Sequence, residues 1–177
     1  MCILSCLSMF RRSRSRTRRP RSGNRLQSVS PMAAMVYTYG ACVNDGQDER
    51  AIGGIGVYWP NFPDRCLQEP FDGLQTARRA QIMAACRAIN QASSLDYTEM
   101  TIYLDSMYVI DGAAAKDSPK RLEGREKDAK AFEKLWTAMR KMTVNFEWIP
   151  DTDNPANNLA KQAILSRREP INRQDSP

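Results

Sequence analysis

Histidine is absent from all 177 residues. Its absence removes the usual general base at neutral pH and the commonest nitrogen ligand of transition metals. Five cysteines stand at positions 2, 6, 42, 66 and 86, none of them in a CxxC pair, so a Cys/His zinc site is excluded as well. Such spacing points to reduced thiols in an intracellular compartment. No apolar run approaches the roughly 20 residues of a membrane span, and no membrane partner is expected.

Acid is missing from one end. Residues 1–35 hold eight arginines and no Asp or Glu; the other 18 Lys and Arg face all 20 Asp and Glu, which leaves −2 on residues 36–177. The formal charge of +6 therefore describes a tail and not the body. Residues 1–34 read as an unfolded segment: Cys2–Phe10 is a short apolar run, and Arg11–Arg25 is Arg/Ser-rich with little to bury. The charge follows the apolar run, the reverse of a secretory signal, and the acid-free composition fits a mitochondrial address. A nuclear address, or a phosphate-binding arm on a cytoplasmic or nuclear protein, fits the same residues. A solvated tail without a role is the plain alternative.

Residues 35–166 read as one domain, and 167–177 as a polar tail. Met35–Cys42, Ala51–Tyr58 and Arg65–Glu69 are strand candidates joined by tight turns, which suggests an antiparallel meander. Thr76 is positioned to cap a helix running to about Ser93, with Ile82, Met83, Cys86 and Ile89 on one face. Thr101–Leu104 is a short β-branched strand that runs into Asp105, and Ser106 then caps a helix. Residues 113–126 are mixed, Lys127–Met142 is helical, and Thr143–Trp148 is a fifth strand. Asn154-Pro155 opens a last helix that reaches about Ser166. The order predicts an α/β fold, a mixed five-stranded sheet flanked by helices. A carboxylate at the end of a central strand, as Asp105 is here, stands where such folds place ligand groups; capping of the next helix is the bland reading.

Five segments resemble the type 1 ribonuclease H family in order and spacing. They are Val36–Gly40, Gly54–Trp59, Gln75–Ile89, Tyr103–Gly112 and Trp148–Pro150. The resemblance implies a ribonuclease H-like fold, three antiparallel strands followed by two parallel ones. It also implies cleavage of RNA in RNA–DNA hybrids with two magnesium ions held by four carboxylates. Of those four positions only Asp105 keeps its acid; the others fall on Tyr39, Gln81 and Asn157. The flexible-loop histidine has no counterpart, and the basic protrusion shrinks to roughly residues 113–127 without its tryptophan. The family's amino-terminal hybrid-binding module does not fit in the 34 residues ahead of the domain.

One carboxylate with two amides and a phenol does not replace four carboxylates around two hard divalent ions. The expected metal set is thus Asp105 at most, no cofactor is expected, and the resemblance points to a pseudoenzyme. On the binding side, the resemblance aligns Thr76 with a position that contacts DNA-strand phosphate and Asn44 and Asp45 with positions that touch the RNA strand, while Ala77 and Arg78 replace the Asn and Gln that read the hybrid minor groove and a neighbouring arginine becomes Leu74. Residues 116–141 carry nine Lys/Arg against five Asp/Glu, with Lys120, Arg121 and Arg125 among the cations. Such a run follows a phosphate backbone or simply forms a solvated helix face with pairs such as Glu126/Lys130. The expectation is a catalytically degenerate domain that binds an RNA–DNA hybrid or structured RNA, or that serves as an assembly module on a protein partner. The alternative is an active, magnesium-dependent nuclease with a displaced site drawn from Asp45, Asp111, Asp151 and Asp153.

Overall fold

A computed structural model describes residues 32–45, 47, 50–71, 76–117 and 124–168. Of the tails expected at 1–34 and 167–177, residues 1–31 and 169–177 lie outside the described residues, as do Leu74, Lys120 and Arg121; Ala33 and Ala34 already pair with the strand Glu99–Leu104, and 167–168 extend the last helix, so the domain runs beyond 35–166 at both ends.

Strands β1 (Ala33–Val43), β2 (Ile52–Tyr58) and β3 (Leu67–Phe71) form the antiparallel meander. Strands β4 (Glu99–Leu104) and β5 (Thr143–Trp148) add in parallel to the other edge of β1, giving the order β3-β2-β1-β4-β5. This is the expected mixed sheet. Helix α1 (Ala77–Ser94) lies across β1 and β2 and packs on α3 (Ala129–Met139). The short α2 (Met107–Ala114) follows β4, and α4 (Ala156–Arg168) covers β1, β2 and β3.

Alternation decides which face each strand buries. Val36 and Val57, with Met100, Ile102 and Leu104 of β4, meet Ile82 and Ile89 of α1 and Phe132 and Leu135 of α3 in the main core. Each such side chain contributes about 1.5–3 kcal/mol on burial. On the other face, β2 brings glycines to α4. A Cβ on Gly54 would lie 2.4 Å from the Ala160 carbonyl, and one on Gly56 would lie 2.3 Å from that of Ala156. Both glycines therefore serve close approach, as the Gly53-Gly54-Ile55-Gly56 run suggested.

Several boundaries differ from the sequence reading. The third strand starts at Leu67, because Pro63–Arg65 forms a single helical turn with the Arg65 guanidinium 3.9 Å from the Phe62 ring centre. α3 starts at Ala129, because Glu126–Asp128 makes a tighter turn of its own. Ser106 precedes α2 as expected, but its side chain makes no capping bond; its carbonyl accepts from Val109 and Ile110 instead. Glu126 does not pair with Lys130 and turns back to accept from the Gly124 amide.

Candidate functional site

The parallel pairing of the central strands β1 and β4 ends at Tyr37 and Tyr103, and the site is built just beyond it. Asp105 directly follows β4, and Tyr39 lies on β1, opposite Gly56 of β2. A Cβ on Gly40 would lie 2.0 Å from the Gln81 amide nitrogen. Only a glycine at 40 lets α1 come this close, and this brings Gln81 against β1 next to Tyr39. Asn157 arrives on the first turn of α4. That helix is anchored by buried Asn154, whose amide nitrogen donates to the Thr38 carbonyl (3.0 Å) while its oxygen accepts from Ala156 (3.1 Å). The four positions picked out by sequence thus lie around the ends of the central strands β1 and β4.

A fifth residue joins them. Asp151, on the turn between β5 and α4, accepts a hydrogen bond from the Asn157 side-chain amide. Its charge also acts on Asp105 and Tyr39. Burial, and then the carboxylates of Asp151 and Asp105, hold the proton on the Tyr39 phenol far above its ordinary range. Burial first, and then Asp151, raises the Asp105 carboxyl, against a backbone hydrogen bond that lowers it. One Asp105 oxygen and the Asn157 side-chain oxygen are buried without a partner among the described residues. The exposed Trp148 closes the rim, its indole nitrogen donating to the Asp105 carbonyl (3.2 Å).

A second cluster sits at the start of α1. Arg79 forms an ion pair with buried Asp128 (2.8 Å), which also accepts from the Tyr108 hydroxyl (2.8 Å). Arg78 and Arg125 stand 4.7 and 4.9 Å from the Tyr108 ring centre. Burial and the bond to Asp128 push the Tyr108 phenol up to about 12, so it remains a donor at neutral pH. Arg125 reaches Asp111 (3.2 Å), which takes Asp111 away from any displaced metal set. Asp45 accepts from the Ala77 amide (3.3 Å) and Thr76 from that of Arg79 (3.2 Å), so both cap α1. Asn44 holds its own loop through the Arg50 carbonyl (3.1 Å), with its backbone in the left-handed region at φ 57°. The structure gathers Asp45, Thr76 and Arg78 at one helix end.

Sequence reading missed three participants. Asp128 and Tyr108 carry no local signal for a partnership that spans 20 residues, and Trp148, the end of a strand and the start of a segment that carries the resemblance, gives no sign in sequence of its bond to the Asp105 carbonyl. The sequence offers Asp151 as a spare acid and gives no sign of its bond to Asn157. Asp153 accepts from its neighbour Thr152 (3.1 Å). Among the described residues, no group of three or more acidic, histidine or cysteine side chains stands where it would hold a metal ion. No described helix is long and apolar enough to cross a membrane.

Comparisons with known proteins agree on the fold. The RNase H family profile matches residues 31–164. Ribonuclease H1 of Rattus norvegicus is 44% identical over 82 residues, which are 45% of this chain and 28% of that protein. The Homo sapiens protein is 44% identical over 80 residues, 44% of this chain and 27% of its own length. These matches span less than a third of the curated relatives' length. Among solved structures, RNase H1 of Halobacterium salinarum gives a TM-score of 0.54 at 17% identity, covering 76% of this chain and 98% of the other. LC11-RNase H1, solved in complex with an RNA/DNA hybrid, gives 0.57 at 16% identity, covering 76% and 99%. With a profile matched across most of its length and the sheet order of that fold, the chain belongs to the RNase H family, as a type 1 domain.

Proposed function

We propose that this domain is a catalytically degenerate RNase H module that binds nucleic acid, with an RNA–DNA hybrid as its first ligand, and does not cleave it. The observation that carries this reading is the hydrogen bond from the Asn157 amide to Asp151, beside a Tyr39 phenol that stays protonated. The family's two magnesium ions need several anionic oxygens that bridge them. Here Tyr39, Gln81 and Asn157 are neutral, and the Asn157 amide already donates to Asp151. The residues present do not fit a two-metal centre. Asp151 is engaged by a hydrogen bond of the protein itself.

Binding rests on groups that hydrolysis does not need. Arg78 and Arg125 beside Tyr108 supply positive charge next to an aromatic ring. The exposed Trp148 offers a face on which a base stacks, worth about 1–3 kcal/mol. A solved relative's occupancy by an RNA/DNA hybrid supports the choice of ligand. One observation favours a second reading: Asp105 and Asp151 are adjacent carboxylates, and an oxygen of Asp105 is unpartnered among the described residues. A single ion bridging them would make a displaced nuclease site. A mitochondrial location stays part of the proposal and rests on the composition of residues 1–34.

Fluorescence anisotropy with a labelled hybrid, duplex RNA and single strands tests the binding. Affinity should fall as salt rises, and replacing Arg78 and Arg125 together with Ala should lower the salt slope by about two. Trp148→Ala should weaken binding about tenfold or more at any salt. Salt-independent binding, or none to any nucleic acid, would refute the reading and leave assembly on a protein partner in its place.

A further inference from the structure

Between α1 and α3 runs a groove of about 730 Å³. Its floor includes Met83, Cys86 and Ala138. Burial pushes the Cys86 thiol up to about 12, so it stays protonated and adds to an apolar floor. Cationic walls rise on both sides: Arg87 on α1, and Lys130, Lys134 and Lys141 on and just after α3, against Glu133 as the acid of the lining. Lys134 and Arg87 are solvent-exposed, and the charges of both reach the Cys86 thiol in the floor. Beyond Arg87 and Lys134 the groove continues into a recess of about 400 Å³ that includes Ile55 and Phe71.

Some of these cations are engaged. Arg87 pairs with Glu69, and Lys141 donates to Asn90 across the groove (2.7 Å). Among the described residues, Lys130 and Lys134 have no ion-pair partner. They stand one helical turn apart, and like charges at that spacing weaken a helix. The concentration is notable because residues 36–177 carry −2 in total. None of these residues belongs to the Tyr39–Asp105–Asp151 cluster or to the Arg78–Tyr108–Arg125 cluster.

We propose that this groove docks an acidic amphipathic helix of a partner protein. Two neighbouring helices with an apolar floor form the slot in which a third helix packs. An apolar ridge at i, i+4 and i+7 would enter over Met83, Cys86 and Ala138, and carboxylates beside it would meet Lys130 and Lys134. A phosphate backbone would satisfy the lysines but would leave the apolar floor uncovered, so the observations favour a helix over nucleic acid. The inference is independent of what the other face binds.

The test uses the full chain and a labelled synthetic helix of about 18 residues, with Leu at i, i+3, i+4 and i+7 and Glu at the flanking positions. A matched helix with Lys in place of Glu, and an RNA–DNA hybrid, complete the set. The Glu helix should bind saturably and the Lys helix should not. Lys130→Glu with Lys134→Glu should weaken the Glu helix at least about tenfold and leave hybrid affinity unchanged. Both side chains are exposed, so an unchanged circular dichroism spectrum is expected and confirms that the variant folds. The proposal is overturned by no saturable binding of the Glu helix, by equal binding of the Lys helix, or by a charge reversal that weakens the hybrid.

Discussion

Asp151 and Asp105 are the two carboxylates at the end of the parallel strands, and their surroundings differ. Asp151 accepts from Asn157 and acts on the Tyr39 phenol, whereas Asp105 has one buried oxygen without a partner among the described residues. Burial holds the Asp105 carboxyl above its ordinary value of 3.8. Between 3.8 and the raised folded value, the native state holds more protons than the unfolded chain, so stability falls as pH climbs through that window. Asp105→Asn removes the fall. In chemical denaturation the variant should match or exceed the parent at pH 7 and lose any advantage at about pH 3, where Asp105 is protonated in both states. A variant clearly less stable than the parent at pH 7 would show that the charged form of Asp105 is stabilised in the fold. The positions Tyr39, Gln81 and Asp105 lie in the segments that carry the resemblance, and Asn157 follows from the order of the last helix; the structure sets them around the ends of β1 and β4. The role of Asp151 was not legible in the sequence, because a bond to Asn157 depends on how the turn after β5 presents its side chain to α4.

Helices and strands meet most closely where side chains are missing. Gly54 and Gly56 let the backbone of α4 lie on β2, and that approach sets the position of Asn157 relative to β1. Gly54→Ala or Gly56→Ala should each destabilise the domain by about 2–3 kcal/mol, because the added methyl meets backbone carbonyls that cannot move aside alone. Thermal unfolding measures it; an unchanged melting temperature would mean that α4 shifts freely. The elements themselves were legible where apolar spacing and a local cap agree. β5 has the expected bounds, and α1 is capped by Thr76 as read, since Thr76 bonds within its own turn. Boundaries slipped where a distant or irregular contact decides. β3 begins late because Arg65 is drawn into a turn over Phe62, and α3 begins late because buried Asp128 is held by Arg79 and Tyr108. No periodicity reports such bonds.

Across the whole molecule, charge is divided by region. Arginines crowd residues 1–35, the body is slightly acidic, and within the body cations gather near Tyr108 and along the α1–α3 groove. The domain has the RNase H fold, and at the ends of its central strands the neutral Tyr39, Gln81 and Asn157 stand with the carboxylates Asp105 and Asp151. The central claim is that binding has been separated from hydrolysis. The most direct measurement incubates the full chain at saturating concentration with a hybrid end-labelled on its RNA strand, in magnesium and in manganese, and resolves the products on a denaturing gel. The account predicts an intact RNA strand in both metals under conditions where anisotropy shows the hybrid bound. Metal-dependent cleavage that disappears in Asp105→Asn or Asp151→Asn would contradict it.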